Sequence, residues 1–405
     1  MWRSDSFCTA RGLHIPPQNV DLTLDKKSSF QCRLRNFTAE RAAGNEDVEG
    51  VQDLKDMHSY FYWNGVREET DTWKINAGPT FGDCSAETGL KEKKDWIMLV
   101  KREENNNVWH KLMEIWQVGI TLDILKIASD PVTGIPYLTP EEANNMTIVW
   151  EDDRSEYLDD VWRIVNGKTP IRKSAMQPGC YGNVVLPLPG SSSPFWLLLM
   201  EHLYHPVCES RFLINAFLRR LYTHFSITPR FKITGKPVVT IIDRQQTRKI
   251  YNLKGMTENI RKKYPDHTIN LVDFSTLSLR EQIILVQSTD VLIGHHGAGM
   301  THVLFLPEES AVVEILPPTF SMLGFRQIGE MRGLHYFTEH SVWVGDWERE
   351  TLGQSELGED PKNEDGWQVK EWVYIRERDF EALVDAALRS QYNRALPYGE
   401  DGKRW

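Results

Sequence analysis

In the second half of the chain, short β-branched runs alternate with segments of helical period, and that alternation carries the architecture. Val238–Ile242 reads as a buried strand, residues 256–264 as a helix and Thr268–Val272 as a strand. Ser278-Leu279-Arg280-Glu281 has capping-box spacing, in which serine and glutamate side chains each satisfy the other's backbone N–H. A helix is therefore predicted from there to about Gln287. Val291-Leu292-Ile293 predicts the next strand, residues 301–306 a short helix before Pro307, and residues 311–315 a further strand. Strands alternating with helices imply a parallel sheet covered on both faces.

The first half is less regular. Residues 1 to about 90 are turn-rich and aromatic, with polar stretches such as 43–50, and read as short strands and loops wrapping a core. A strand is predicted within 94–101, followed by a long helix over about 108–128. Its apolar residues Leu112, Ile115, Trp116, Val118, Leu122 and Leu125 recur near helical spacing. The Asp130-Pro131-Val132-Thr133-Gly134 turn ends it. Further strands are predicted at 147–150 and 183–186, with helices around 158–165 and 208–225. Beyond about Trp343 come a charged loop, 356–365, and a last helix, 379–392.

At 405 residues the chain is long for one core, and roughly two domains of ~150–200 residues are expected. A net charge of −10 argues against a nucleic-acid partner, since phosphate backbones call for a basic face. No apolar run approaches the ~18–20 residues that span a bilayer, so no membrane insertion is expected; the longest is 195–200. The start, Met1-Trp2-Arg3-Ser4-Asp5, lacks the apolar region of a signal peptide. Cys8, Cys32, Cys84, Cys180 and Cys208 form no zinc-ligand spacing. They fit either a reduced protein or a secretory one with two disulfides and a spare. Two sequons, Asn36-Phe37-Thr38 and Asn145-Met146-Thr147, would accept N-glycans in a secretory lumen.

Candidate chemistry concentrates at two places. Gly294-His295-His296-Gly297-Ala298-Gly299-Met300 joins a strand to a helix, where glycines let a ligand approach the backbone and helix N–H groups attract an anion. Glu314, twenty positions after Gly294, is placed to accept hydrogen bonds from ribose hydroxyls. The glycine order is not G-x-G-x-x-G, which disfavours an NAD-dependent dehydrogenase. Directly after the Val238–Ile242 strand, Arg244, Arg248 and Lys249 stand where open α/β sheets bind ligands, and arginine suits phosphate oxygens. A plain packing turn and a solvated cationic loop remain the alternative readings of these two segments.

The pairing of R-x-x-x-R-x-I-x-N (Arg244, Arg248, Ile250, Asn252) with D-V-L-I-G-x-H-G-A-G-M-T (Asp290 to Thr301) and F-L-P-x-x-x-x-V-V-E-I (Phe305 to Ile315) resembles the family 61 glycosyltransferases. The resemblance is specific over 236–318 and weaker over 95–235, where Asn107-Val108-Trp109-His110-x-x-x-Glu114 is similar to the family's Asn/His/acid segment. It implies a GT-B fold, two Rossmann-like domains facing a cleft. Residues 1–230 would form the acceptor-side domain and 231–340 the nucleotide-sugar domain. Residues 341–405 would form a tail whose helix packs back across them. It implies inverting transfer from a UDP-sugar, most simply UDP-N-acetylglucosamine, to a protein or glycan hydroxyl in the endoplasmic reticulum or Golgi lumen. The absent signal or anchor would then reflect a truncated chain or a mis-assigned start. Donor contacts would come from Arg244, Arg248, Asn252, His296, Gly297, Ala298, Gly299, Met300, Thr301 and Glu314.

Inverting transfer needs a base for the acceptor hydroxyl and charge relief for the departing UDP. Arg244, Arg248 and the helix start after Gly297 supply positive potential without a metal. No D-x-D sequence stands at a strand end, and Glu151-Asp152-Asp153 reads as a solvated turn, so no metal cofactor is expected. His110 and Glu114, four apart on one helix face, are the candidates for base and orienting carboxylate. A capping or core histidine is the competing reading of His110. His296 would hold the sugar or the β-phosphate, with His295 a weaker candidate. UDP-xylose as donor, or a catalytically inactive nucleotide- or carbohydrate-binding module, are the alternative functions.

Overall fold

The computed structural model describes residues 91–190 except 105 and 130–132, 211–230, 235–342 except 319 and 321–323, and 372–392. It also describes short pieces at 8–11, 13–15, 29–32 and 74–77 and the single residues 44, 64, 89 and 193. The sequon at Asn36, Cys84, Cys208, the 195–200 run, the 356–365 loop and the first five residues lie outside the described residues. The chain divides into two compact units, Met1–Leu197 and Leu198–Trp405.

In the first unit one eight-stranded sheet comprises β1 (Cys8–Arg11), β2 (Leu13–Ile15), β3 (Ser29–Cys32), β4 (Lys74–Ala77), β5 (Glu92–Val100), β6 (Thr147–Trp150), β7 (Ile171–Arg172) and β8 (Gly179–Leu186). Its order is β4-β3-β1-β8-β5-β6-β7, with β2 also paired to β8. The β8-β5-β6-β7 part is parallel, while β1 and β2 run antiparallel to β8. Helix α1 (Val108–Ile127) follows β5 and buries all six of its periodic apolar residues. It starts at Asn107, whose side chain accepts the Trp109 N–H at 2.9 Å and so satisfies one of the donors a helix start leaves open. A short α2 (Pro140–Asn145), absent from the sequence expectation, is secured by a capping box of Thr139 and Glu142.

The helix expected over 158–165 is only a 3₁₀ turn, Val161–Ile164. Asp159 draws its side chain to the Glu156 N–H and to Arg102 and Arg172, and such local bonds compete with α-helical ones.

The second unit holds β9 (Val238–Ile242), β10 (Lys249–Ile250), β11 (Thr268–Val272), β12 (Val291–His295), β13 (Ala311–Leu316), β14 (His335–His340) and β15 (Trp372–Val373). Five of these make an all-parallel sheet in the order β11-β9-β12-β13-β14, and β10 pairs with β15 beside it. Helices α3 (Phe212–Phe225), α4 (Leu253–Lys263), α5 (Leu279–Gln287), α6 (Gly324–Met331) and α7 (Glu377–Tyr392) accompany it. The predicted capping box at Ser278 and Glu281 is present. Val239, Ile241, Val291, Ile293, Val313 and Ile315 share one core with Met256 and Ile260 of α4. Phe380, Val384 and Leu388 of α7 join the same core, so the last helix packs into this unit. Both β12 and β13 are buried throughout, as parallel central strands require.

Strand order reverses between β9 and β12, because the chain goes from β9 outward to β11 and then returns across β9 to β12. In open α/β sheets ligands bind at the carboxyl ends of the strands flanking such a switch point. The arginine loop follows β9 and the glycine turn follows β12. Topology thus brings the two sequence motifs together. Among the described residues, no helix is long and apolar enough to cross a membrane.

Candidate functional site

At the switch point Gly297 has φ 142° and ψ −168°, a backbone state that side chains other than glycine's hydrogen disfavour. A Cβ there would come within 2.8 Å of Arg248 Nη1 and 3.3 Å of Arg244 Nη1. The two guanidiniums therefore converge on the bare turn. Arg248 Nη1 donates to the His296 carbonyl at 3.3 Å, and Arg244 Nε donates to the Thr247 carbonyl at 2.9 Å. Burial pushes Arg248 down to about 10, with repulsion from Arg244 adding to it, and burial lowers Arg244 as well. Two half-buried like charges aimed at an open turn favour a bound anion. The turn leads into a 3₁₀ helix, Ala298–Phe305, rather than the predicted helix over 301–306. A helix start leaves its first N–H groups without intrahelical partners, which favours an anion at that end.

The remaining donor-side candidates divide. Gly297, Ala298 and Gly299 are half-buried at the turn, with His296 beside them. Met300 and Thr301 are fully buried; Met300 Sδ packs where a Cβ on Gly294 would stand, 2.9 Å away, so these residues anchor the turn from beneath. Asn252 is exposed in left-handed conformation at the start of α4, with its side chain over Gly255. Glu314 is 2% exposed and does not stand open to a ribose. One of its oxygens bonds His296 Nδ1 at 2.7 Å and the other accepts from the Tyr336 hydroxyl at 2.8 Å. His295 is buried with Nδ1 3.0 Å from the His296 carbonyl, and burial holds it well below the usual histidine range.

In the first unit the segment between β5 and α1 builds a second cluster. Glu103, three residues past the end of β5 and fully buried, bonds His110 Nδ1 at 2.5 Å and accepts from Asn64 Nδ2 at 3.3 Å. A carboxylate only accepts, so the imidazole carries its proton on Nδ1 and its basic nitrogen is Nε2. Glu114, expected to orient His110, is engaged elsewhere. It accepts the Glu103 N–H at 2.6 Å and lies 3.2 Å from Lys111 Nζ. Lys111 also donates to the Glu103 carbonyl at 2.7 Å and pairs with Glu156 at 3.0 Å. Burial raises Glu114 to about 8, against the opposing pull of Lys111. Sequence spacing found His110 and missed Glu103, because that contact crosses a loop rather than a helix turn.

The acidic turn at 151–153 is also more than solvated surface. Asp152 accepts from Arg102 and Arg154, and the Arg102 guanidinium lies 4.2 Å from the Trp150 ring centroid. Among the described residues, no group of three or more His, Cys, Asp or Glu side chains is placed to hold a metal ion.

The family model for Glycosyltransferase 61 matches residues 110–313, which include His110, the arginine loop and the glycine turn. The EGF domain-specific O-linked N-acetylglucosamine transferase of Pan troglodytes is 31% identical over 175 residues, 42% of this chain and 32% of that protein. The alpha-1,3-arabinosyltransferase XAT2 of Oryza sativa subsp. japonica is 34% identical over 144 residues, 32% of this chain and 23% of that protein. The chain thus spans about a third or less of the length of these curated relatives. A solved glycosyl transferase family 9 structure from Veillonella parvula aligns over 75% of this chain and 99% of its own at 10% identity. Its TM-score of 0.27 is too low to bear on the fold. With the family model covering half of its length and both candidate clusters represented in the match, the chain belongs to glycosyltransferase family 61.

Proposed function

We propose that the protein transfers a sugar from a UDP-sugar, with inversion, to a hydroxyl of a protein or glycan, on a fold of the GT-B kind. The observation that carries this reading is the convergence of Arg244 and Arg248 on Gly297 at the switch point. The acceptor hydroxyl gives its proton to His110 Nε2 while its oxygen attacks the anomeric carbon. The bond from that carbon to the phosphate oxygen breaks, and the electron pair leaves with UDP. Arg244, Arg248 and the N–H groups after Gly297 meet the charge that develops, which is where preorganised donors lower a barrier most. Glu103 fixes the tautomer of His110 in this scheme. The same groups stand in for a divalent metal.

N-acetylglucosamine is the preferred donor sugar, in keeping with the relatives named for that transfer. A pentose such as xylose is the second reading, favoured by the arabinosyltransferase relative. A location in the endoplasmic reticulum or Golgi lumen accords with the disulfide at Cys180 and with Asn145, an exposed sequon asparagine. Asn145 precedes β6, at the opposite end of the parallel strands from Glu103, so a glycan there leaves the His110 cluster clear.

The test is thermal stabilisation by UDP, UDP-N-acetylglucosamine and UDP-xylose, with and without EDTA. Ligand at ~100 times its dissociation constant adds ~2.7 kcal/mol. Stabilisation by UDP that survives EDTA is the expected result, and the sugar nucleotide with the largest shift names the donor. No response to any UDP compound would sink the reading. Binding without UDP release in the presence of acceptors would favour an inactive binding module.

A further inference from the structure

The relay beside the glycine turn, with Glu314 buried at its centre and His296 and Tyr336 half-buried, has no part in the transfer chemistry assigned to His110, Arg244 and Arg248. Three adjacent parallel strands contribute to it. His296 follows β12, Glu314 lies on β13, and Tyr336 on β14 stands in register with Val312, two residues before Glu314. A buried carboxylate costs several kcal/mol unless it is paired. Apolar side chains would fill this part of the sheet at lower cost. Here both oxygens of Glu314 are taken, by His296 Nδ1 at 2.7 Å and by the Tyr336 hydroxyl at 2.8 Å.

We propose that Glu314 and Tyr336 are positioning residues that hold His296 as a third group facing the diphosphate, beside Arg244 and Arg248. This rests on reading the second unit as a nucleoside-diphosphate site. Because Glu314 only accepts, Nδ1 is the donor in that bond, and the ring edge bearing Nε2 points away from the carboxylate. Phe320 and Phe325 flank the imidazole at centroid distances of 4.3 and 5.4 Å and restrict its rotation. The backbone ties the same residue to the cation pair, since the His296 carbonyl accepts from Arg248 at 3.3 Å. Burial, and then the Glu314 charge, keep the Tyr336 hydroxyl protonated far above its usual range, so it stays a donor.

Titration calorimetry with UDP and with uridine, on the wild type and on Tyr336→Phe, Glu314→Gln, His296→Gln and Arg248→Ala, tests this. Tyr336→Phe keeps the ring that packs against Gly329 and removes one hydroxyl, so it is the variant least able to unfold the site. The expected result is about a tenfold or greater loss of UDP affinity in the first three variants, as befits a hydrogen bond to a charged group. Uridine affinity should stay within about twofold of wild type, since uridine lacks the phosphates these groups address. Equal losses for UDP and uridine would mean general loosening and would overturn the proposal, as would unchanged UDP binding in all three variants. If Arg248→Ala alone weakens UDP, this inference fails and the diphosphate site stands. If Arg248→Ala also binds UDP normally, the site reading itself fails.

Discussion

Gly297→Ala adds one methyl group at the point where backbone strain and ligand chemistry meet. With φ at 142° and ψ at −168°, the residue lies in a region that is essentially glycine's alone, and an alanine held there costs about 1–3 kcal/mol. The new Cβ would also lie 2.8 Å from Arg248 Nη1 and 3.1 Å from its Cζ. Those atoms end a flexible side chain, so the guanidinium yields before the backbone does, and the contact is converted into displacement of the group proposed to bind phosphate. Two readouts follow. A strain of ~2 kcal/mol in a unit of this size lowers the melting temperature by about 4–8 °C. UDP affinity falls by about tenfold, the value of one displaced charge-assisted hydrogen bond. Circular dichroism melts and calorimetry with UDP measure both. A variant that melts with the wild type and binds UDP equally well would refute both the strain at Gly297 and its place against the phosphates.

His110→Ala should lower turnover by about 10²–10⁴ while leaving UDP-sugar affinity nearly unchanged, the signature of a lost general base. Steady-state kinetics alongside donor binding would show it, and equal losses in both quantities would contradict the assignment. Arg248→Ala should do the reverse at the donor site. It should also not lower the melting temperature of the ligand-free protein, because Arg244 loses a repelling neighbour. Glu114 provides a pH test. Its folded pKa of about 8 lies above its ordinary 4.5, so the folded state holds a proton that the unfolded chain releases between those values. Stability from this group is therefore full below about pH 4.5 and is lost as the pH rises through about 8. Glu114→Gln, which cannot titrate, should flatten that decline in urea unfolding between pH 5 and pH 8; an unchanged slope counts against the burial argument.

Features carried by near neighbours were legible in the chain. The Ser278 and Glu281 capping box, the apolar face of α1, the buried strands β9, β12 and β13 and the half-buried β11 each depend on residues a few positions apart. The arginine loop and the glycine turn could be recognised for the same reason, as chemistry at strand ends. Strand β14 is not legible in the chain because it is an edge strand of mostly polar residues, His335-Tyr336-Phe337-Thr338-Glu339-His340, with no apolar run to announce it. The segment at 158–165 has a helical pattern, but the Asp159 side chain bonds the Glu156 N–H and Arg172, and only a 3₁₀ turn forms.

Sequence by itself thus determined the elements and the residue types offered for chemistry, since helical period, capping and glycine turns are local physics. Which side chains meet was decided by tertiary structure. Helix spacing pairs His110 with Glu114, yet it bonds Glu103, because Glu114 is drawn to the Glu103 N–H and to Lys111. Spacing alone offers Glu314 to a ribose, yet parallel pairing of β12 with β13 sets it beside His296, eighteen residues away in the chain. Buried charges must find partners wherever the packed strands bring them, and that requirement is not written in the spacing of any single element.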